Sequence, residues 1–382
     1  MLNININQKR LSDVLKKAQK SVPSNPTMDI LKNIKLVSSK YSDSINIIAT
    51  DGDIYTRQNI VYGDDLEIIE KGDICIPAKQ FMETIRLMTS ETISLKLEEN
   101  TLLIKGQKEG NKNKSTMKIN VTDGSNFPNP DNGREGLFAE IEGNELKEMI
   151  KKTSYATTKN ESRPILTGVL FSKRYDKLDV TATDSHRLSK YYVDLEGFRN
   201  EDSVNDHVIP KGSLDKIVSY IKDDDRVDMF QNEKSTSISF YTNDMFIQTR
   251  VLTGNYPDTD RIIPKETKTT VEINKEEFKL ALQRARITSE SDGNSAVNFS
   301  LNDEDNTITL KSNNENGQST EVFEAEKIEG EEIELAFNID YMLDAIKRLD
   351  YDTVVLNFIS NMQPIVIRES GLTQLVLPVR VY

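Results

Sequence analysis

The chain has 382 residues, 36% hydrophobic and 29% charged, with a net charge of −13. That length predicts two or three domains, each able to bury its own core, and the acidic balance argues against tight DNA binding by overall charge, because such affinity comes from cations neutralising phosphates. No apolar run approaches the roughly 18 residues of a membrane span, the first residues lack the basic, apolar and small-residue pattern of a leader, and the single cysteine, Cys75, excludes an intrachain disulfide and fits a reducing cytoplasm.

Taken in chain order, the predicted elements repeat. Leu11, Val14, Leu15 and Ala18 fall at helical spacing. The alternating stretch SINIIAT is next, and then the short strand DICIPAKQF, with Cys75 as a small core residue, runs into a second helix carrying Phe81, Ile85 and Met88 on one face. TISLKL and TLLIKG alternate as strands, the polar turn EGNKNKS comes after them, and Asn126-Phe127-Pro128 closes the round. The order restarts at Leu146, Met149 and Ile150, with Thr153 in the weak last place. HVIPKGSL leads into Leu214, Ile217, Val218 and Ile221; SISFYT and FIQTRVL come after, and Asn255-Tyr256-Pro257 ends the second round. The third begins at Phe278, Ala281, Leu282 and Ala285, passes the acidic turn NDEDN and the strand TITLKS, and enters Met342, Ala345, Ile346 and Leu349 through ELAFNIDYM, with TVVLNFI beyond.

Thirty residues separate Asp51 from Phe81, Asp184 from Leu214 and Ser312 from Met342. Unrelated amphipathic helices would not keep that register. The fold class predicted is α+β, as three tandem copies of a two-helix, antiparallel-sheet domain over 1–128, 129–257 and 258–382. The boundaries near 127–136 and 257–269 carry Pro, Asp and Gly or Thr. A period of this length indicates an array of whole domains, not a solenoid.

Charge is unevenly placed. The six helical segments together carry +11 of the Lys, Arg, Asp and Glu charge, leaving −24 on the rest of the chain. The basic residues involved include Lys9, Arg10, Lys16, Lys17, Lys20, Lys147, Lys151, Lys152, Lys216, Arg284 and Arg286. Lysine is a good helix former, and solvated helix faces account for such a bias. The functional reading is that the helices turn toward one polyanion and make weak, sequence-independent contacts with its phosphates.

Catalytic chemistry is thin. The two histidines, His186 and His207, are not at metal-ligand spacing; neither a phosphate-cradling loop nor a nucleophile elbow occurs. The densest candidate is Thr183-Asp184-Ser185-His186-Arg187. Read as a strand, it puts Asp184 and His186 on one face and Ser185 on the other, which works against a converging triad.

RPILTGVLF, ATDSHRLS, NYPDTDRIIP and LVLPVRVY, in this order on three repeats, resemble the bacterial DNA sliding clamp, the β subunit of DNA polymerase III. The likeness covers essentially the whole chain. It implies a non-catalytic processivity factor without cofactor or metal: a head-to-tail homodimer whose six domains close a ring around duplex DNA, held topologically and without sequence preference, in the cytoplasm and with no membrane contact. Met117, Ile119 and Ile287 would lie at the subunit junction. A pocket for short peptides of polymerases and the clamp loader would be lined by Leu166, Thr183, Ser185, His186, Arg187 and Leu188, by Pro257, Arg261 and Ile262, and by Pro364, Leu375, Val376, Leu377, Pro378, Val379 and Arg380. Lys159, Asn160 and Arg163 would join the basic helix residues as DNA contacts.

Three positions depart from the family pattern. Ser185 stands in place of the glycine of ATDGHRL, Val381-Tyr382 runs one residue past the usual end, and Asn25 occupies a loop position that is basic in some members. Three other readings stay open at this point: a diverged clamp copy serving repair or a mobile element, a hydrolase using Asp184 and His186, and a three-domain adhesion scaffold.

Overall fold

The computed structural model describes residues 2–38, 43–107, 114–130, 134, 136–195, 205–291 and 294–380. Val381 and Tyr382, most of the turn 109–115 and part of the boundary 127–136 lie outside the described residues.

The rounds of the sequence fold into related runs of elements, each with two α-helices and, among the described residues, with ten, eight and ten strands. The first comprises β1 (Asn3–Asn7), α1 (Gln8–Gln19), β2 (Asn33–Ser38), β3 (Ser44–Thr50), β4 (Ile54–Val61), β5 (Leu66–Glu70), β6 (Asp73–Pro77), α2 (Ala78–Leu87), β7 (Thr92–Glu98), β8 (Thr101–Gln107), β9 (Lys114–Asn120) and the short β10 (Thr122–Asp123). The second comprises β11 (Gly136–Glu142), α3 (Gly143–Thr153), β12 (Gly168–Arg174), β13 (Lys177–Thr183), β14 (Arg187–Asp194), β15 (Asn205–Pro210), α4 (Lys211–Tyr220), β16 (Arg226–Gln231), β17 (Ser237–Tyr241) and β18 (Met245–Arg250). In the third are β19 (Thr269–Asn274), α5 (Lys275–Arg286), β20 (Glu290–Ser291), β21 (Asn294–Asn302), β22 (Thr307–Asn314), β23 (Gly317–Glu324), β24 (Lys327–Glu329), β25 (Glu334–Asn338), α6 (Ile339–Ile346), β26 (Thr353–Phe358), β27 (Ile365–Glu369) and β28 (Leu372–Val376).

The helices form where the periodicity places them. Leu11, Val14, Leu15 and Ala18 are the buried face of α1, and Phe278, Ala281, Leu282 and Ala285 that of α5. Each of these α-helices comes directly after a strand. In α1, α5 and α6 the last residue of that strand is an asparagine whose side chain accepts the backbone N–H three residues on: Asn7 from Arg10 at 3.1 Å, Asn274 from Glu277 at 3.1 Å and Asn338 from Tyr341 at 3.2 Å. These caps satisfy amides that the first helical turn leaves open. Thr153, the weak place in the second pattern, is fully buried because its hydroxyl donates to Met149 O at 2.7 Å.

Among the described residues all sheet pairings are antiparallel, and the copies are joined through them. One nine-stranded sheet runs β10-β6-β2-β3-β4-β18-β17-β16-β11, another β15-β12-β13-β14-β28-β27-β26-β19-β24. In both, the third strand of one copy's meander (β2-β3-β4, β12-β13-β14) pairs with the third strand of the meander after the next copy's second helix (β16-β17-β18, β26-β27-β28). Two five-stranded sheets, β5-β1-β7-β8-β9 and one built on β20-β21-β22-β23 with β25 against β21, complete the set.

These joins decide the compact units. Residues Met1–Asn144 with Gly212–Val251 form one, and Glu145–Lys211 with Leu252–Tyr382 the other. The middle copy is divided between them, β11 and β16 to β18 in the first unit and β12 to β15 in the second. Each unit has its own core: Leu11, Leu15, Phe81 and Ile85 pack with the strands of the first, and Phe278, Leu282, Met342 and Ile346 with those of the second. Cys75 is a buried core residue of the first unit, and burial pushes its thiol up to about 12, which keeps it protonated and inert. No helix among the described residues is long and apolar enough to cross a membrane.

Candidate partner-binding site

The densest polar motif of the sequence is a turn, not a strand. β13 ends at Thr183 and β14 starts at Arg187. Between them the Thr183 hydroxyl donates to Arg187 O (2.6 Å) and accepts from Ser185 N (3.2 Å), while Asp184 Oδ1 accepts from His186 N (2.9 Å) and Arg187 N (3.0 Å). Short polar side chains bonding their own backbone in this way replace the ladder with a turn. The first copy builds the same turn: Thr50 donates to Ile54 O and accepts from Gly52 N, and Asp51 accepts from Asp53 N and Ile54 N. Gly52 has φ +99° there and Ser185 φ +80°, a left-handed backbone that glycine adopts freely and serine does not. The Ser185 hydroxyl accepts from Arg163 Nη1 at 3.0 Å.

This geometry replaces the alternation expected for residues 183–187 and removes the hydrolase reading on different grounds. The Asp184 carboxylate serves backbone N–H groups and the Arg187 guanidinium (2.9 Å), not the imidazole. A His–Asp dyad needs that bond to orient the ring. Among the described residues no cluster of metal-ligating side chains occurs.

Arg187 is the centre of the turn. Besides Asp184 it donates to Asp344 Oδ2 on α6 at 2.7 Å and to Tyr155 O at 2.9 Å, and its guanidinium lies over the rings of Tyr341 (4.6 Å) and Tyr155 (5.4 Å). Burial opposes its charge, but the bonds and field of Asp344 and Asp184 more than compensate and hold it ionised. His186 is exposed, its ring 6.3 Å from that of Tyr341.

Beneath the turn, β14 and β28 pair with Leu188 opposite Leu375. These two and Val366 form a small buried apolar cluster of their own, with Ile263 packed against it. Leu377 N continues the ladder to His186 O at 2.9 Å, Val379 N donates to Ala336 O at 2.8 Å, and Pro378 bridges to Phe337. Leu166 is buried in the single-turn helix Pro164–Thr167, Pro364 is half-buried, and Pro257, Ile262, Arg380 and Arg261 are exposed, the last paired with Asp258 at 2.8 Å. The second unit thus brings together an apolar floor, a cationic turn and a segment near the C-terminal end.

Val376 does not belong to that floor. It is fully buried in the helix-covered core of the second unit, on the other side of the sheet from Leu375, as strand alternation requires. Val366 and Ile263 were missing from the expected lining. The signal for Val366 was the same alternation, run from Leu375 across to the paired strand, where the two stand opposite each other.

The basic residues divide. Lys9 is exposed on α1 and Arg10 and Lys17 half-buried; Lys16 is exposed beside Asp13 (3.4 Å), and Lys20 Nζ donates to Ser219 O at 2.8 Å and lies over the Tyr220 ring. Lys216 is bonded to Asp51. In the second unit Lys151 and Lys159 are exposed, as is Asn160, whose side chain accepts from Ser162 N at 2.9 Å. Arg284 pairs with Glu321 at 2.6 Å and Arg286 with Asp340 at 2.9 Å. Lys152 corrects the expectation outright. Its side chain is 5% exposed, with Nζ 2.5 Å from Asp350, 3.3 Å from Glu148 and 3.5 Å from Glu369. It is a structural cation, closed to phosphates. Of the residues expected at a subunit junction, Ile287 is 77% and Met117 46% exposed, whereas Ile119 is buried in its own core.

Comparison with known proteins agrees with this architecture. Models of the N-terminal, central and C-terminal domains of the DNA polymerase III beta subunit match residues 2–131, 140–258 and 260–380. The beta sliding clamp of Bacillus subtilis (strain 168) is 32% identical over 394 residues and that of Streptococcus pneumoniae 30% over 395, each covering 100% of both chains. The crystal structure of the Bacillus subtilis DNA polymerase sliding clamp matches with a TM-score of 0.90 at 31% identity, again over 100% of both chains. The chain therefore belongs to the bacterial beta sliding clamps, the beta subunits of DNA polymerase III, and is a non-catalytic processivity factor.

Proposed function

We propose that the chain acts as a head-to-tail homodimer that closes around duplex DNA and tethers polymerases and the clamp loader through the Leu188–Leu375 site. The observation that carries this reading is the rule by which the copies join. β4 pairs with β18 and β14 with β28, each time the third strand of one copy's first meander with the third strand of the meander after the next copy's second helix. The same rule pairs β23 of the third copy with β9 of the first in another chain, and both are outer strands of their sheets. An interface of this head-to-tail kind closes into a ring when its rotation permits.

Side chains obey the rule too. The residue just past the first helix meets the end of the next copy's second helix: Lys20 lies 5.4 Å over the Tyr220 ring, and Arg348 lies 5.4 Å over that of Tyr155. At the equivalent third place stand Ile287, 77% exposed, and Leu87, 68% exposed, an apolar pair suited to meet across two chains.

In this reading Lys9, Arg10, Lys16, Lys17, Lys151, Lys159, Asn160 and Arg163 make weak phosphate contacts, and closure supplies the hold. A peptide with a Leu or Phe anchor would fill the apolar floor, with Arg187, His186 and the 377–380 segment orienting it. The test is retention after loading on nicked circular DNA, expected to be lost once the circle is linearised. Equal retention on circle and line would overturn the topological reading.

A further inference from the structure

In the first unit the β4–β18 join sets Phe246 opposite Arg57, and the β17–β18 hairpin sets Tyr241 opposite Phe246. The Arg57 guanidinium lies over the Phe246 ring at 4.7 Å and that of Arg134 over Tyr241 at 4.4 Å, on rings whose centroids are 4.8 Å apart. Phe246, Tyr241 and Tyr55 are themselves buried, so the surface presents the two guanidiniums. A guanidinium stacked on a ring keeps its in-plane N–H groups for a planar acceptor. Among the described residues no carboxylate stands within ion-pair distance of either, in a chain of net charge −13.

Both arginines line a cleft of about 280 Å³ with Asn46 and Asn59, which face each other across β3 and β4, and with Asp244. It opens on the sheet face away from the helices. Gln58 reaches the other way, donating to Val14 O on α1, and its neighbours Arg57 and Asn59 point oppositely by alternation. The β14–β28 join uses the corresponding place for its apolar cluster: Leu188 is the second residue of β14, as Tyr55 is of β4. Here rings fill that place, and arginines cap them.

We propose that this cleft is a second partner site, which takes a carboxylate of an acidic peptide segment on the paired forks of Arg57 and Arg134. Carboxylate matches the bidentate guanidinium geometry, and the two asparagine amides can bond a peptide backbone. Two cations beside Asp244 suit a single acid better than a run of phosphates.

The experiment is fluorescence anisotropy with full-length protein, using a labelled Glu-rich peptide, its Gln counterpart of equal length and a short oligothymidylate. The Glu peptide is expected to bind at least about tenfold tighter than the Gln peptide. Arg57→Gln with Arg134→Gln removes that preference, and Leu375→Ala leaves it intact, which separates this cleft from the other site. If the double variant melts early, the charge-preserving Arg57→Lys decides, and it too should lose most of the preference because it lacks the fork. Equal binding of the two peptides, or a preference surviving the arginine substitutions, overturns the proposal. Arginine-dependent binding that is tighter for oligothymidylate overturns it in favour of nucleic acid.

Discussion

Lys152 carries a charge that its neighbours in sequence assign to an open helix face, yet its side chain ends among three carboxylates, one of them, Glu369, only 4% exposed. Removing the cation would leave that carboxylate buried without its counter-charge, still bonded to the backbone N–H groups of Asp350 and Tyr351. Lys152→Ala is expected to cost about 3 kcal/mol in urea unfolding, the low end for a broken buried pair because Asp350 and Glu148 stay open to water. Lys151→Ala should leave stability unchanged and weaken DNA retention instead. Burial alone would lower the Lys152 pKa, but Asp350, Glu148 and Glu369 raise it above the ordinary 10.5. A raised folded value means its stabilisation is complete below pH 10.5 and fades as pH climbs through the folded pKa, so the variant and the parent should converge only in strong alkali. Nothing in the spacing of Lys151 and Lys152 tells these residues apart, since two of the three carboxylates, Asp350 and Glu369, stand 198 and 217 positions away. Ser185 was more legible. Aligning Thr183-Asp184-Ser185 with Thr50-Asp51-Gly52 shows a glycine at the place that needs positive φ, and the turn could have been read from that pair.

At the scale of elements, helices were readable because their partner surface is written into their own 3.6-residue period. Every apolar group named in the sequence is buried or half-buried, on a helix face except for Met88, Ile221 and Leu349, which lie just past α2, α4 and α6. The strands were readable singly but not in their pairing, because β4 and β14 alternate much as β8 does, and alternation records a face and not a neighbour. The third register point shows the limit: Asp51 and Asp184 come just after their strands, whereas Ser312 lies inside β22, whose hairpin with β23 runs on to Asn314 and Gly317. That longer hairpin makes β23 an outer strand of eight residues, with Val322 62% exposed. An outer strand this long normally has a partner or a guard. Ile287→Asp or Leu87→Asp should shift the protein to monomer in sedimentation analysis without lowering its melting temperature. A dimer unaffected by either change would exclude the Ile287–Leu87 contact.

For the whole molecule, the repeat explains why compact units and sequence copies do not coincide, since each join pairs the last strand of one copy with the copy before it. It also ties two properties together. Leu188 and Leu375 are at once the floor of the proposed partner site and directly opposed residues of the β14–β28 join. Peeling that join apart would dismantle the site, so whatever occupies the site must hold the join shut by mass action. Amide hydrogen exchange should record this: a saturating Leu- or Phe-anchored peptide slows exchange in β14 and β28 while β4 and β18 exchange as before. The tethered partner would then act as a clasp on the strand seam to which it is fastened.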